Sequence, residues 1–163
     1  SEFKKYAKRY FGAGFDWRWF KAQGAAESTL EPLAVSHRGA RGVMQILPST
    51  YQEIWSEIAA QPHIEEARWN IASGIAYERQ LYERWRGRVA EEDRFKFALA
   101  SYNAGFQGIL NARARTRENG RDPTLWSHVA PHAPAETRHY VRRILTLMAP
   151  ETSVGPRSIH GAS

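Results

Sequence analysis

The sequence predicts an all-helical fold, interrupted at most by one very small strand element. Three observations predict it. Apolar residues recur at helical spacing in most segments, no run of β-branched residues alternates with period two, and Gly and Pro fall mostly between the apolar periods. The chain has 163 residues, 42% hydrophobic and 12% aromatic, with six Trp. That is enough for one domain with its own core, expected over residues 1–149, and it excludes disordered or collagen-like composition. The absence of Cys excludes a disulfide framework, thiolate nucleophiles and zinc-thiolate sites. No window approaches the roughly eighteen apolar residues of a membrane span.

A first amphipathic stretch covers about residues 2 to 11 and stops at Gly12-Ala13-Gly14. Asp16 offers an N-cap for a second helix running to about Thr29, with Trp17, Phe20, Lys21 and Gly24 at i, i+3, i+4 and i+7, and Pro32 ends it. Residues 33–47, with Gly39 and Gly42, read as a loop in which Val43 to Leu47 can form a short strand or extended edge. Pro48 suits the first turn of a helix holding Tyr51, Ile54, Trp55 and Ile58. A long helix follows Pro62, from about Ile64 or Asn70 to Arg86, with Ile71, Ile75, Tyr82 and Trp85 on one face and Gly87 at its close. Phe95, Ala98, Leu99 and Tyr102 define the next, stopped by Gly105. A short helix from Phe106 to about Ala114, a mostly irregular segment 116–134 around a turn at Leu125-Trp126, and a final helix from near Ala135 complete the domain. Residues 150–163 are small, polar and aperiodic and read as a loose tail.

Glu27 is the most informative residue. It follows Phe20 by seven positions and Gly24 by three, so it projects from the inward face of its helix one turn from the end. A carboxyl there loses water, which disfavours the anion and raises the pKa toward the range of a general acid working near neutral pH. On spacing alone the commoner role is structural: a hydrogen bond to a neighbouring loop, or an Arg partner.

The context adds more. Glu27-Ser28, Pro32, Ala34, Ser36, Gly39-Ala40, Gly42-Val43-Met44-Gln45 and Pro48-Ser49-Thr50 resemble the catalytic signature of the soluble lytic transglycosylases, lysozyme-like enzymes that cleave bacterial peptidoglycan. Ala100-Ser101-Tyr102-Asn103-Ala104-Gly105 is similar to that family's second motif, and Glu136-Thr137-Arg138-His139-Tyr140-Val141 to its third. Asn70-Ile71 with Gly74 and Tyr77 resembles its connecting helix. The motifs stand in the family's order and span about residues 16–148.

The resemblance implies a lysozyme-like helical domain with a cleft for strands of alternating N-acetylglucosamine and N-acetylmuramic acid. It implies Glu27 as sole acid/base, protonating the glycosidic oxygen and then taking a proton from the muramoyl 6-hydroxyl to leave a 1,6-anhydro sugar. Most glycosidases need two carboxylates; a site with one needs help from the substrate's acetamido oxygen. By the same resemblance Ser36 contacts Glu27 or that acetamido group, Gln45 and Tyr102 hold the sugar, and Met44 and Leu47 line the same stretch. Many relatives carry Met where Leu47 stands. No cofactor and no metal is implied.

Other residues have plainer readings beside these. Tyr102 sits on an apolar helix face, where core packing is the usual role; Asn103 either caps its helix or reaches the cleft. Glu136 in the first turn of the last helix favours the helix dipole, and Tyr140 follows at i+4, so capping competes with a cleft role. Glu78 interrupts an apolar series, with an Arg partner as its default explanation and a second catalytic carboxylate as the rival. Of the six His only His128 and His132 have the i, i+4 spacing of a metal pair, and they straddle Pro131 in an irregular segment, which argues against a metal site. Gly39 and Gly42 shape backbone; neither a strand nor a Lys-Ser/Thr pair accompanies them, as a phosphate loop would require.

The net charge is +6, with 18 Arg among 23 basic residues, which suits acidic partners. Peptidoglycan strands are the expected partner and nucleic acid is not, although the Arg-rich stretches 84–88 and 113–121 keep a nucleic-acid module as an alternative. A hydrolytic goose-type lysozyme and a non-catalytic wall-binding scaffold are the others. The start at Ser1, without Met or an apolar leader, reads as a processed chain, monomeric and acting in the periplasm or cell envelope, with any signal or anchor lying outside it.

Overall fold

The computed structural model describes residues 1–58 and 61–150. Its eight α-helices are α1 (Glu2–Phe11), α2 (Arg18–Ser28), α3 (Pro48–Ile54), α4 (Ala67–Arg84), α5 (Arg94–Ala104), α6 (Phe106–Glu118), α7 (Trp126–Val129) and α8 (Ala135–Met148), with 3-10 turns at Glu91–Asp93 and Ala130–His132. Among the described residues there is no strand. Arg41 alone makes isolated antiparallel bridges to Val35 and to Ile46, which is all that the expected strand element amounts to.

Most boundaries follow the punctuation. Gly12 and Gly105, at φ 93° and 81°, end α1 and α5 in backbone conformations that a Cβ would strain. The Asp16 carboxylate accepts from the Arg18 N–H at 3.1 Å, as an N-cap residue would, but the helix begins at Arg18, one residue beyond the expected start. The third helix is shorter than expected. It ends at Ile54 because Trp55 turns back to donate from its indole to Ser73 Oγ at 2.8 Å, and Ile58 stands outside it, exposed. By contrast α6 runs one turn past Ala114, because Arg and Glu are good helix formers and Ala112 and Thr116 are buried at i, i+4. The segment 116–134 holds one more helical turn than expected, α7, whose Trp126 and Val129 are core residues. The expected tail lies, from residue 151 on, outside the described residues.

Two apolar clusters hold the helices together. One gathers Trp85, Phe97, Leu99, Ile109 and Ile144 from the C-terminal half of the chain together with the last residues of α4. The other gathers Phe3, Phe20, Met44, Tyr51, Ile71 and Ile75 from α1 to α4. Tyr77, Phe95 and Tyr102 pack against both. The second motif's Ser101 belongs to the first cluster's interior: fully buried, it accepts from the Trp85 indole at 2.9 Å and donates to the Phe97 carbonyl at 2.8 Å. The seam between the clusters, closed by tyrosines, is where the polar groove opens. Among the described residues no helix is long and apolar enough to cross a membrane.

Candidate active site

Glu27 occupies the last turn of α2, with Thr29 and Leu30 immediately after it in left-handed backbone (φ 55° and 64°). Thr29 N–H reaches Ala25 O at 3.0 Å and Leu30 N–H reaches Gly24 O at 3.4 Å, which closes the helix sharply and leaves its last side chains facing the groove. Loss of water raises the Glu27 pKa to about 7; the Tyr140 hydroxyl opposes that rise, and the nearby Glu136 carboxylate adds to it. The Tyr140 hydroxyl is buried beside Glu27, close enough to favour its anion, yet it makes no hydrogen bond of normal geometry among the described residues.

The loop facing Glu27 is built by buried polar groups. Asn70, fully buried at the start of α4, accepts from Met44 N–H at 2.8 Å and donates to Arg41 O at 2.9 Å and Ile64 O at 2.8 Å. Gly42, at φ 79°, lies so close to that amide that a Cβ would collide with it. Ser28 ties the loop to α2, donating to Val43 O at 2.7 Å. Gln45 sits in left-handed backbone at φ 48°, a conformation that costs a non-Gly residue about 1–2 kcal/mol. Its amide donates to Gly42 O at 2.9 Å and Ala34 O at 3.1 Å, which fixes the side chain. Ser36 Oγ accepts from the Arg38 and Ala40 N–H groups at 3.3 and 3.1 Å, so it shapes the turn that carries His37 and Arg38 and makes no bond to Glu27.

Across the groove, the Tyr102 hydroxyl donates to Met44 O at 2.6 Å, and Asn103 Oδ1 accepts from Thr137 Oγ1 at 2.8 Å, linking α5 to α8. Glu136 is exposed in the first turn of α8. Glu27, Ser36, Gln45, Tyr102, Asn103 and Glu136 line one cavity of about 160 Å³, together with His37, Arg38, Ala40 and Leu47. A second cavity of about 210 Å³ shares Arg38, Gln45, Leu47, Tyr102 and Asn103 with it and continues to Tyr77 and Gly105. The two form one groove with Glu27 toward one end. A larger cavity of about 460 Å³, between Trp17, Ala22 and Leu147, lies on another face of α2 and has no acidic group in its lining.

Two expectations need correcting. The Met44 side chain does not line the groove: it is wholly buried in the second cluster, in space that Gly74 and Gly24 leave open, and a Cβ on Gly74 would sit 2.6 Å from Met44 Cβ. Only its backbone serves the site, through Asn70 and Tyr102. Among the described residues Glu78 has no Arg partner; it is fully buried and accepts from the Gln23 amide at 2.6 Å, and it lines neither cavity of the groove. His128 Nδ1 accepts from Asp122 N–H at 3.0 Å and so serves the loop. Asn70, fully buried beneath the loop, and His37 and Arg38, which line the cavity, are the polar residues whose part in the site was not expected.

A profile described as "Transglycosylase SLT domain" matches residues 3–124. The chain belongs to the SLT transglycosylase family. The chain is 35% identical over 140 residues to the membrane-bound lytic murein transglycosylase F of Aliivibrio fischeri, and 38% identical over 136 residues to that of Marinobacter nauticus. These matches cover 85% and 82% of this chain but 26% and 25% of the relatives, so it spans about a quarter of their length. Among solved structures it resembles the lytic transglycosylase Slt of Pseudomonas aeruginosa, described as an inactive Glu-to-Gln mutant. The TM-score is 0.69 at 26% identity, over 90% of this chain and 22% of that one.

Proposed function

We propose that this SLT domain is a peptidoglycan lytic transglycosylase that cleaves the β-1,4 bond between N-acetylmuramic acid and N-acetylglucosamine, with Glu27 as sole general acid/base. The observation that carries the reading is a carboxyl whose pKa is raised to about 7 in a groove walled by hydrogen-bonding side chains. Such an acid is protonated in a large fraction of molecules at neutral pH, the state that the first step needs.

In that step Glu27 gives its proton to the glycosidic oxygen as the C1–O bond breaks. The acetamido oxygen of the muramoyl residue stabilises the cationic C1. Glu27, now a carboxylate beside the Tyr140 hydroxyl, takes the proton of the 6-hydroxyl as that oxygen attacks C1. The leaving N-acetylglucosamine strand keeps the glycosidic oxygen and the proton it received, so the 1,6-anhydro product and that strand together hold every atom of the substrate, and Glu27 ends protonated. The steps are proton transfers and one internal displacement, so no cofactor is needed. Gln45, whose Nε2 is occupied by two carbonyls, offers Oε1 to the glycan; Asn103, whose Oδ1 is occupied by Thr137, offers its amide N–H groups. Leu47, 42% exposed on the rim, offers an apolar face to a sugar ring. The proposed setting is the cell envelope, where the substrate is.

Glu136 gives a hydrolytic reading its one specific support, because it lines the same cavity and could direct water at C1. The two readings share Glu27 and differ in product. Glu27→Gln tests what they share: incubated with purified peptidoglycan, it is expected to release muropeptides at least about 100-fold more slowly than the wild type. Equal and negligible release from both proteins would retire the enzymatic reading in favour of a binding scaffold.

A further inference from the structure

Beneath the groove lies a second carboxyl that the proposed chemistry does not use. Glu78 is fully buried in α4, where its place in the apolar series Ile71, Ile75, Tyr82 would suit an aliphatic side chain. Its only hydrogen-bond partner among the described residues is Gln23, also fully buried, whose Nε2 donates to Glu78 Oε2 at 2.6 Å. Among the described residues none of the ion pairs includes Glu78. Two atoms are left over: Glu78 Oε1 and Gln23 Oε1, both buried and both without a partner. Each unsatisfied buried polar atom costs about 1–3 kcal/mol. One proton on Glu78 Oε1, donated to Gln23 Oε1, satisfies both. A carboxylic acid and a primary amide then form a ring of two parallel hydrogen bonds, one in each direction.

Gln23 stands one helical turn before Glu27 on α2. Resting on the reading of Glu27 as the reacting acid, we propose that Glu78, held as a neutral carboxylic acid, is a positioning residue for Glu27: its two-bond pair with Gln23 pins the turn of α2 that carries Glu27 onto α4 without placing a second negative charge beside it. Burial supports this by raising the Glu78 pKa to about 8; the Gln23 hydrogen bond lowers it, and Glu27 adds to the rise. The titratable groups that act on Glu78, or on which it acts, come from four helices: Glu27 on α2, Tyr77 on α4, Tyr102 on α5 and Tyr140 on α8. Burial and the negative charge that Glu27 acquires both favour the neutral form of Glu78.

The test compares Glu78→Leu, Glu78→Gln and wild type on purified glycan strands across pH. Leu fills the space and leaves the Gln23 amide buried and unpaired; it is expected to lower kcat at least about 10-fold while KM changes less than about 3-fold. Glu78→Gln restores a two-bond pair and is expected to rescue most of that loss, with the midpoint of the Glu27-dependent decline near pH 7 staying within about 0.3 of wild type. An unchanged kcat in the Leu variant overturns the positioning role. A shift of the Gln variant's midpoint to lower pH by more than about half a unit overturns the neutral acid, since removing an anion near Glu27 must lower its pKa.

A melting series needs no substrate and holds even if the Leu variant does not fold. For an acid whose folded pKa lies above its unfolded value near 4.5, stability falls as pH rises between the two and levels off above the folded value. Glu78→Gln is therefore expected to melt higher than wild type at pH 8.5 by more than it does at pH 5; the same difference at both overturns the proposal. If wild type cleaves no glycan, the enzymatic reading fails while the melting series still judges the Glu78–Gln23 pair.

Discussion

The Tyr102 hydroxyl donates to the Met44 carbonyl at 2.6 Å and so fastens α5 to the loop that faces Glu27. These residues are 58 positions apart and belong to different motifs. Their bond closes the groove's floor across the seam between the two apolar clusters. It also explains why Tyr102, which packs against both clusters, keeps a hydroxyl where Phe would pack equally well.

Tyr102→Phe should leave the Met44 carbonyl without that donor and cost about 1–2 kcal/mol of stability, readable by urea denaturation. With the loop less firmly held over Glu27, glycan cleavage should fall about 10-fold at saturating substrate. Wild-type stability in the variant would show that the bond does not hold the loop.

The Asn70 clamp predicts a larger effect. Asn70→Ala removes three hydrogen bonds at once and leaves Met44 N–H, Arg41 O and Ile64 O to find other partners, at a cost of about 2–4 kcal/mol. Gly42→Ala should cost a similar amount by driving a Cβ into the same amide from positive φ. Each should lower the thermal midpoint by several degrees. Because the two changes strike one contact, the double variant should lose clearly less than the sum.

Glu27 gives the pH dependence. With a pKa of about 7 it must be protonated to act as acid, so cleavage should decline as pH rises through about 7. Stability follows the same group. Its folded pKa lies above the ordinary 4.5, so ionising it costs the folded state progressively between those values. Glu27→Gln should therefore melt higher than wild type at pH 8, and by a smaller margin at pH 4.5. An equal margin at both would mean that the carboxyl is better hydrated than its place in the groove implies.

Much of this site was legible in the sequence because the chemistry is carried by short motifs that stay contiguous. Glu27 could be placed on an inward helix face from its spacing to Phe20 and Gly24, and six residues of the quoted motifs (Ser36, Ala40, Gln45, Tyr102, Asn103 and Glu136) line the cavity beside it. The Met44 side chain departs from expectation because it turns inward with that of Val43, while Gln45 and Leu47 just after it face the groove. The signal was present in Gly24 and Gly74, whose missing side chains make the space it fills. Asn70 stood in a quoted motif but gave no sign of its role as a clamp, since an Asn near a helix start normally caps or faces water. Gln23 lies three residues after Phe20 and four before Glu27, so periodicity already placed it inward, and a buried Gln implies a polar partner. That partner was Glu78, 55 positions away, a pairing that only the tertiary fold brings about.

The most direct test is the mass of the products that wild-type protein releases from purified peptidoglycan. The account predicts muropeptides ending in 1,6-anhydromuramic acid, lighter by one water than their reducing-end counterparts, and none of them from Glu27→Gln. Reducing ends as the main product would contradict it, and would assign the groove, with Glu136 beside Glu27, to hydrolysis.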